Sequence, residues 1–491
     1  MSFWRGNKLA AFSPSADENA KRLTEMLGDA DDVKQRKFSF GKTAGIALYL
    51  VTLVDSLRVE EHILRPLAEN KSKNPEDALT AIERDDAADY EAAMNALLIG
   101  KTLVFFEGRT ACLICGTERT ALRTITEPLN EKIVRGAHDG FVENLNTNLF
   151  LLRKRVQSKE LVIEFAEKGE RAKKQIAIVY EKEIANPELV KEIKRRVDSI
   201  NAEMIYSAGH IEQMIEDSTL SPFPQFLSTE RPDRVAANIM EGRIAILNDG
   251  TPTCIIAPVN FITFYQSPDD YTSRPLSGSF YRLLRLFAFF IAVLLPAFYI
   301  AVTSFHLEVV PGDLIVQMKG SVADIPYPTI VEALFMEMTI ELIREAGIRL
   351  PSPIGQTIGI VGGLVIGDAV VSAGLVSNFT LIVVALTAIA SYVVPSTEMN
   401  MTIRLLRFPF MVSASLFGFY GLIFIMMVIV IHLCKLESLK TPYFAPFAPL
   451  RWKDLKDTFI RRAIWKQKTR PTDSMPLDET KEEGSREWMK E

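Results

Sequence analysis

Side chains able to do chemistry cluster in two stretches of an otherwise apolar region. The first is residues 354–377, IGQTIGIVGGLVIGDAVVSAGLVS. Gly355, Gly359, Gly363 and Gly367 recur every four residues, so on a helix they form one stripe that lets another backbone approach closely. Asp368 falls roughly opposite that stripe, and Thr357, Val361, Leu364 and Ser372 share its face. A carboxylate at the centre of a bilayer costs about 2.5–3.5 kcal/mol or more, so it should avoid lipid. Two uses fit. The helix packs through glycine and presents Asp368 and its neighbours to a water-filled ion path, or Asp368 lies near a membrane edge, snorkelling or paired. The second stretch holds Glu337, Glu341 and Glu345, again four apart and so on one helical face. Like charges at that spacing repel unless water, cations or arginines are near. They read either as an acidic vestibule that concentrates cations or as the solvated face of an interfacial helix, with Glu341 paired to Arg344.

Other spacings carry less. Cys112 and Cys115 have CxxC spacing but sit in an apparent strand, where residues three apart face opposite ways. With no second pair or nearby histidine, they read as core residues rather than metal ligands. Gly41-Lys42-Thr43 looks like the end of a phosphate loop, but the glycine required five residues earlier is Arg36. Asn378-Phe379-Thr380 matches a glycosylation acceptor but falls in an apolar hairpin. The five histidines make no HExxH, and no nucleophile–base pair is evident, so the chain does not read as an enzyme and implies no cofactor. A net charge of −5 points away from nucleic acid.

The elements that position these residues divide the 491-residue chain in two. Charge is spread through residues 1–283 and again beyond 450, and is scarce between 286 and 434. The reading is an α/β cytoplasmic domain of two small units followed by an α-helical multi-span membrane domain. Residues 1–38 form a mobile arm, 39–126 the first unit, 127–283 the second unit and linker, 284–435 the membrane domain with four to five helical segments, and 436–491 a basic tail with a disordered end. In the first unit a long helix is expected over 75–98. In the second, Asp249-Gly250 marks a hairpin between 243–247 and 253–257. Residues 1–21 lack the apolar run of a signal peptide, and Arg282 and Arg285 precede the first long apolar run. Both facts place the α/β half on the side of synthesis. Four spans are expected: 286–305, 354–376, 379–394 and 408–434. The segment 306–329 reads as non-helical, and the acidic helix 330–348 as interfacial or cavity-lining.

Several motifs, in order, resemble the A subunits of spore germinant receptors, the GerA family. They are Pro222-Phe223-Pro224-Gln225, Thr229-Glu230-Arg231-Pro232-Asp233, Glu241-Gly242-Arg243-Ile244-Ala245-Ile246 with Asp249-Gly250, Ser267-Pro268-Asp269-Asp270-Tyr271, and PSPIGQTIGIVGGLVIG over 351–367. Residues 135–141 are similar to the family's Arg-Gly-Pro-Arg-Glu-Gly-Phe, with Ala137, His138 and Asp139 in place of Pro, Arg and Glu. The resemblance implies a nutrient-sensing complex in the spore inner membrane, with the N-terminal domain on the core side. It implies partnership with a permease-like B subunit and a lipoprotein C subunit, and homo-oligomerisation into a ligand-gated channel for monovalent cations. Two other uses remain open on the residues: a non-conducting signalling or scaffold subunit that docks the permease-like subunit, and a secondary transporter. The lack of an obvious inverted repeat weighs against the transporter.

Overall fold

The computed structural model describes residues 12–41, 43–69, 78–79, 83–87, 89–119, 127–128, 130–133, 135–323, 325–351, 363, 367–481, 486 and 488. The α/β half opens with α1 (Ala16–Met26) and an antiparallel hairpin, β1 (Val33–Phe40) and β2 (Thr43–Leu50). Next come α2 (Ser56–Val59), a π-helical turn and α3 (Arg65–Glu69). Strand β3 (Arg84–Ala87) and α4 (Tyr90–Leu98) precede a second hairpin, β4 (Thr102–Phe106) and β5 (Cys112–Cys115). The sheet order is β1-β2-β4-β5-β3.

The chain then repeats the design. It runs through α5 (Leu145–Arg155), β6 (Leu161–Lys168), β7 (Lys174–Glu181), α6 (Pro187–Asp198) and α7 (Ala208–Ile215). It continues through β8 (Leu227–Thr229), α8 (Pro232–Ile239), β9 (Ile244–Asn248) and β10 (Cys254–Ala257). The order β6-β7-β9-β10-β8 follows the same path as the first sheet. Local chemistry sets the boundaries. The side chains of Asp89, Asn144 and Asn186 each accept from a first-turn N–H, and Pro187 opens α6. Strands of the second sheet are apolar on both faces. Ala177 and Val179 of β7 face a core shared with β2, β4 and the helices α1, α4 and α5. Ile176 and Ile178 face α6 and α7, as the two-residue period of a strand requires.

The two units are pinned by a buried ion pair. Arg153 donates through Nη2 to Asp32 Oδ1 at 2.8 Å and through Nε to Oδ2 at 3.1 Å, and Thr52 also donates to Asp32. The reading of residues 1–38 as a mobile arm is therefore corrected. Ala16, Ala20 and Leu23 of α1 are in the core, and Val33 to Phe40 is an edge strand of the sheet. The single long helix expected over 75–98 is also corrected: Ala78 is helical, but Arg84–Ala87 is a strand paired with β5, and a separate helix starts at Tyr90.

In the helical half, α9 (Pro268–Thr272) turns into α10 (Pro275–Ser304). Then follow α11 (Gly312–Ala323), α12 (Thr329–Arg349), α13 (Gly367–Ser372), α14 (Asn378–Tyr392) and α15 (Thr397–Lys435). The non-helical link expected over 306–329 thus contains a helix. Among the described residues α10 is long and apolar enough to cross a membrane, as is α15 if taken over its full length, and α14 is a shorter apolar helix. The single span expected over 408–434 is corrected. Gly418 has φ 58° and ψ −137°, and the chain reverses there. Ser413 Oγ donates to the Gly421 carbonyl at 2.8 Å, whereas eight residues of continuous helix would separate them by about 12 Å. The reversal sits against the end of α10, where His306 stacks on Phe419 at 4.6 Å. The second arm returns to the α/β half, where Ser221 hydroxyl and His432 Nε2 are 2.9 Å apart.

The tail packs rather than trailing from the bundle. Arg461, Arg470, Asp473 and Ser474 are buried. Arg243–Asp473 at 2.9 Å and Arg282–Asp457 at 3.4 Å tie it to the rest of the chain. The disordered end expected beyond it lies mostly outside the described residues.

Candidate functional site

The helical half is inside-out compared with a protein built for water. Phe335, Met338, Leu342 and Ile348 of α12 are exposed, as are Ile382, Leu386 and Ile389 of α14 and Leu416, Ile423 and Phe424 of α15. Within an interior of Ala292, Ala297, Ile300, Met399 and Met411, charged side chains are buried as well. Glu337 and Arg407 are 0% and 1% exposed and form an ion pair, and Arg407 Nε donates to the Ala292 carbonyl of α10 at 3.0 Å. Burying two charges costs several kcal/mol per ion, which only good geometry recovers. This seam therefore fixes how α10, α12 and the first arm of α15 meet.

The seam continues along α12. Glu341 takes Arg404 at 2.8 Å and Arg344 at 3.2 Å. Arg344 Nε also donates to the Tyr392 hydroxyl at 2.9 Å, with its guanidinium 4.6 Å from that ring. Glu345 pairs with Arg349 at 2.6 Å near the helix end. At the other end, buried Glu332 accepts from Ser377 N at 2.9 Å and from Thr380 Oγ1 at 3.1 Å, capping α14. The order of these contacts makes α12 and α14 parallel to each other and antiparallel to the first arm of α15. The expected pairing of Glu341 with Arg344 is present. Glu337, Glu341 and Glu345 are each matched by arginine, and one face of the acidic helix packs into the bundle while Phe335, Met338, Leu342 and Ile348 are exposed.

Of the glycine stretch, Gly355, Thr357, Gly359, Val361 and Leu364 lie outside the described residues. Gly363 has no described atom within reach of a Cβ, and Gly367 is buried in ordinary contact with Leu381 of α14. Asp368 and Ser372 are exposed on α13, and Asp368 has no ion pair with a described residue. Buried Gly367, the exposed Asp368 and the paired glutamates of α12 are therefore in different environments.

Arg404 and Arg407 are the functional candidates the sequence reading missed. They stand just ahead of the apolar run beginning at Phe408 and look like flanking charges. The available signal was that a charge-poor region places these two arginines in the same apolar half as the three glutamates.

Outside the bundle, Cys112 and Cys115 lie buried in β5, and burial pushes both thiols up, Cys115 to about 12, so neither is poised as a thiolate. Among the described residues no group of three or more His, Cys, Asp or Glu could hold a metal ion.

Residues 21–473 match the Bacillus/Clostridium GerA spore germination protein family. The chain is similar to Spore germination protein KA of Bacillus subtilis (strain 168), 38% identical over 470 residues, covering 94% of this chain and 86% of that protein. It is also similar to Uncharacterized membrane protein YfkQ of the same organism, 37% identical over 473 residues, covering 95% and 92%. A crystal structure of the N-terminal domain of the A subunit of the Bacillus megaterium spore germinant receptor GerK3 is similar at 29% identity and a TM-score of 0.42. That likeness covers 52% of this chain and 99% of the other.

Proposed function

This chain belongs to the GerA spore germination protein family, and on that premise we propose that it is the A subunit of a germinant receptor in the spore inner membrane. Its α/β half faces the core, and its helical half assembles with further copies into a gated path for monovalent cations. A permease-like B subunit and a lipoprotein C subunit are its partners. The chain itself is not an enzyme.

The observation that carries this reading is Asp368: a carboxylate exposed on an apolar helical segment, without an ion-pair partner among the described residues of its own chain. In a bilayer such an acid needs water or a neighbouring subunit. A ring of copies supplies both, with Asp368, Ser372 and the Thr357, Val361 and Leu364 face turned to the axis. The inside-out bundle supports the membrane setting, because its apolar residues face outward and its charges pair inside.

The test is potassium flux from liposomes holding the purified protein with and without its partner subunits. Asp368→Asn and Val361→Ala should each alter flux or gating several-fold at equal protein level. No flux from any assembly, together with a monomeric state, defeats the channel reading. The scaffold reading has one observation of its own: arginine pairing of all three glutamates is also what a rigid, non-conducting docking bundle would use.

A further inference from the structure

Three cavities adjoin one another at the base and outer side of α10. The first, of about 380 Å³, lies between the tail and the second α/β unit. Of its acids, Glu241 pairs with Lys481, Asp457 with Arg282 and Asp473 with Arg243, while Asp454 accepts from Thr472 N and Oγ1. Lys453, Lys456 and Lys466 also line it, are exposed, and make no ion pair with a described residue. Arg243, 4% exposed, lines it too and has Nε without a hydrogen-bond partner. The second cavity, of about 280 Å³, is lined almost wholly by apolar side chains of α10, α15 and the tail, and it shares Ile262 with the first. The third, of about 470 Å³, opens outward between α10 and the returning arm of α15, and it shares Leu294, Met426 and Val430 with the second. From Leu286 to Phe298, the two apolar cavities follow α10 for about 18 Å at 1.5 Å per residue. Beside the basic end, Trp452, Ile460 and Trp465 are exposed, the mix of aromatic and basic residues found at a membrane surface.

We propose that these cavities form one binding site for an anionic phospholipid, with the phosphate among Lys453, Lys456, Lys466 and Arg243 and an acyl chain along Leu286, Leu294 and Met426. The inference rests on the membrane setting proposed above but not on conduction. A basic head and an apolar channel of this length match the two ends of one lipid, which neither a free anion nor a hydrophobic peptide does.

The test is native mass spectrometry of the full chain in detergent, offered phosphatidylglycerol, phosphatidylcholine or glycerol phosphate. The chain should retain phosphatidylglycerol about tenfold better than phosphatidylcholine and retain no glycerol phosphate, since burial of the chain supplies much of the affinity. Replacing the three lysines by glutamine should abolish the preference between lipids. Met426→Trp, which fills the apolar channel, should reduce retention of both lipids several-fold. Unchanged melting temperatures would show both variants folded. Equal retention of both lipids by all three proteins overturns the site. Tight binding of glycerol phosphate alone makes it an anion site, and a photocrosslinker at Met426 that captures a polypeptide in membranes makes the groove a protein interface; either result overturns the lipid. Lipid retention is read without flux, so loss of conductance bears on the channel reading alone.

Discussion

Arg407 meets three elements at once, and its energetics follow from that position. It pairs with Glu337 of α12 and donates to a carbonyl of α10. Arg407→Leu should destabilise the bundle by about 3–5 kcal/mol, because it strands a buried carboxylate. Glu337→Leu combined with Arg407→Leu should recover most of that loss, since no charge is left to desolvate. Thermal unfolding of the three proteins in detergent checks both statements, and a double variant as unstable as the single one would show that the pair's worth lies in packing. In the α/β half the informative titrating group is Glu212. Burial, then the carboxylates of Glu398 and Glu216, push its pKa up to about 9. The unfolded chain gives up this proton near the ordinary pKa of about 4.3, while the folded chain keeps it. Stability should therefore fall as pH rises from about 4.3 toward 9. Glu212→Gln should flatten that slope, as melting temperatures between pH 5 and pH 9 would show. A variant that declines as steeply as the parent assigns the titration elsewhere.

The α15 hairpin shows where sequence legibility ends. The apolar run after Phe408 contains no charge, so composition alone gives one long span. The reversal depends on two glycines whose roles appear only in three dimensions. A Cβ at Gly418 would stand 2.8 Å from His306 Nε2, at a positive φ that other residues resist, and a Cβ at Gly421 would collide with the Ser413 carbonyl. Gly418→Ala should cost about 1–3 kcal/mol in strain, read as a lower melting temperature. Gly421→Ala should separate the arms, read as faster proteolysis after residue 418. Variants that behave like the parent would leave the arms as independent helices. Hairpins signalled by local chemistry were legible, such as the one at Asp249-Gly250. Strand β3 was not, because Arg84-Asp85-Asp86-Ala87 contains no β-branched residue and is a strand only through its pairing with β5. The edge β8 is only three residues long, too short for a strand period to show. Without these two edges, the common strand order of the units could not be read from the sequence.

At the scale of the molecule, the question is how an event in the α/β half reaches the bundle. Two of the contacts that join the halves among the described residues are the most telling. One is residues 221–223, where the Thr402 hydroxyl donates to the Pro222 carbonyl and the Phe223 ring stacks on His432 at 6.0 Å. Both arms of α15 are thus tied to one loop. The other is the base of α10. Buried Asp270 of α9 takes Arg282 at 3.3 Å and Arg285 at 2.8 Å, while Asp457 of the tail takes Arg282 from the other side. The sequence offered these arginines as flanking charges. The structure uses them to clamp the start of α10 between the sheet domain and the tail. Asp270→Asn removes the one carboxylate common to both arginines and should cost about 3–5 kcal/mol, because Arg282 stays buried with Asp457 as its remaining anion. A true clamp loosens on both sides at once. Hydrogen exchange should therefore rise together in residues 275–285 and 452–462, while α6 and α7 stay protected. If exchange rises only around residues 268–272, Asp270 merely caps its own short helix. The path from sheet to bundle would then run through Phe223 and the α15 hairpin alone.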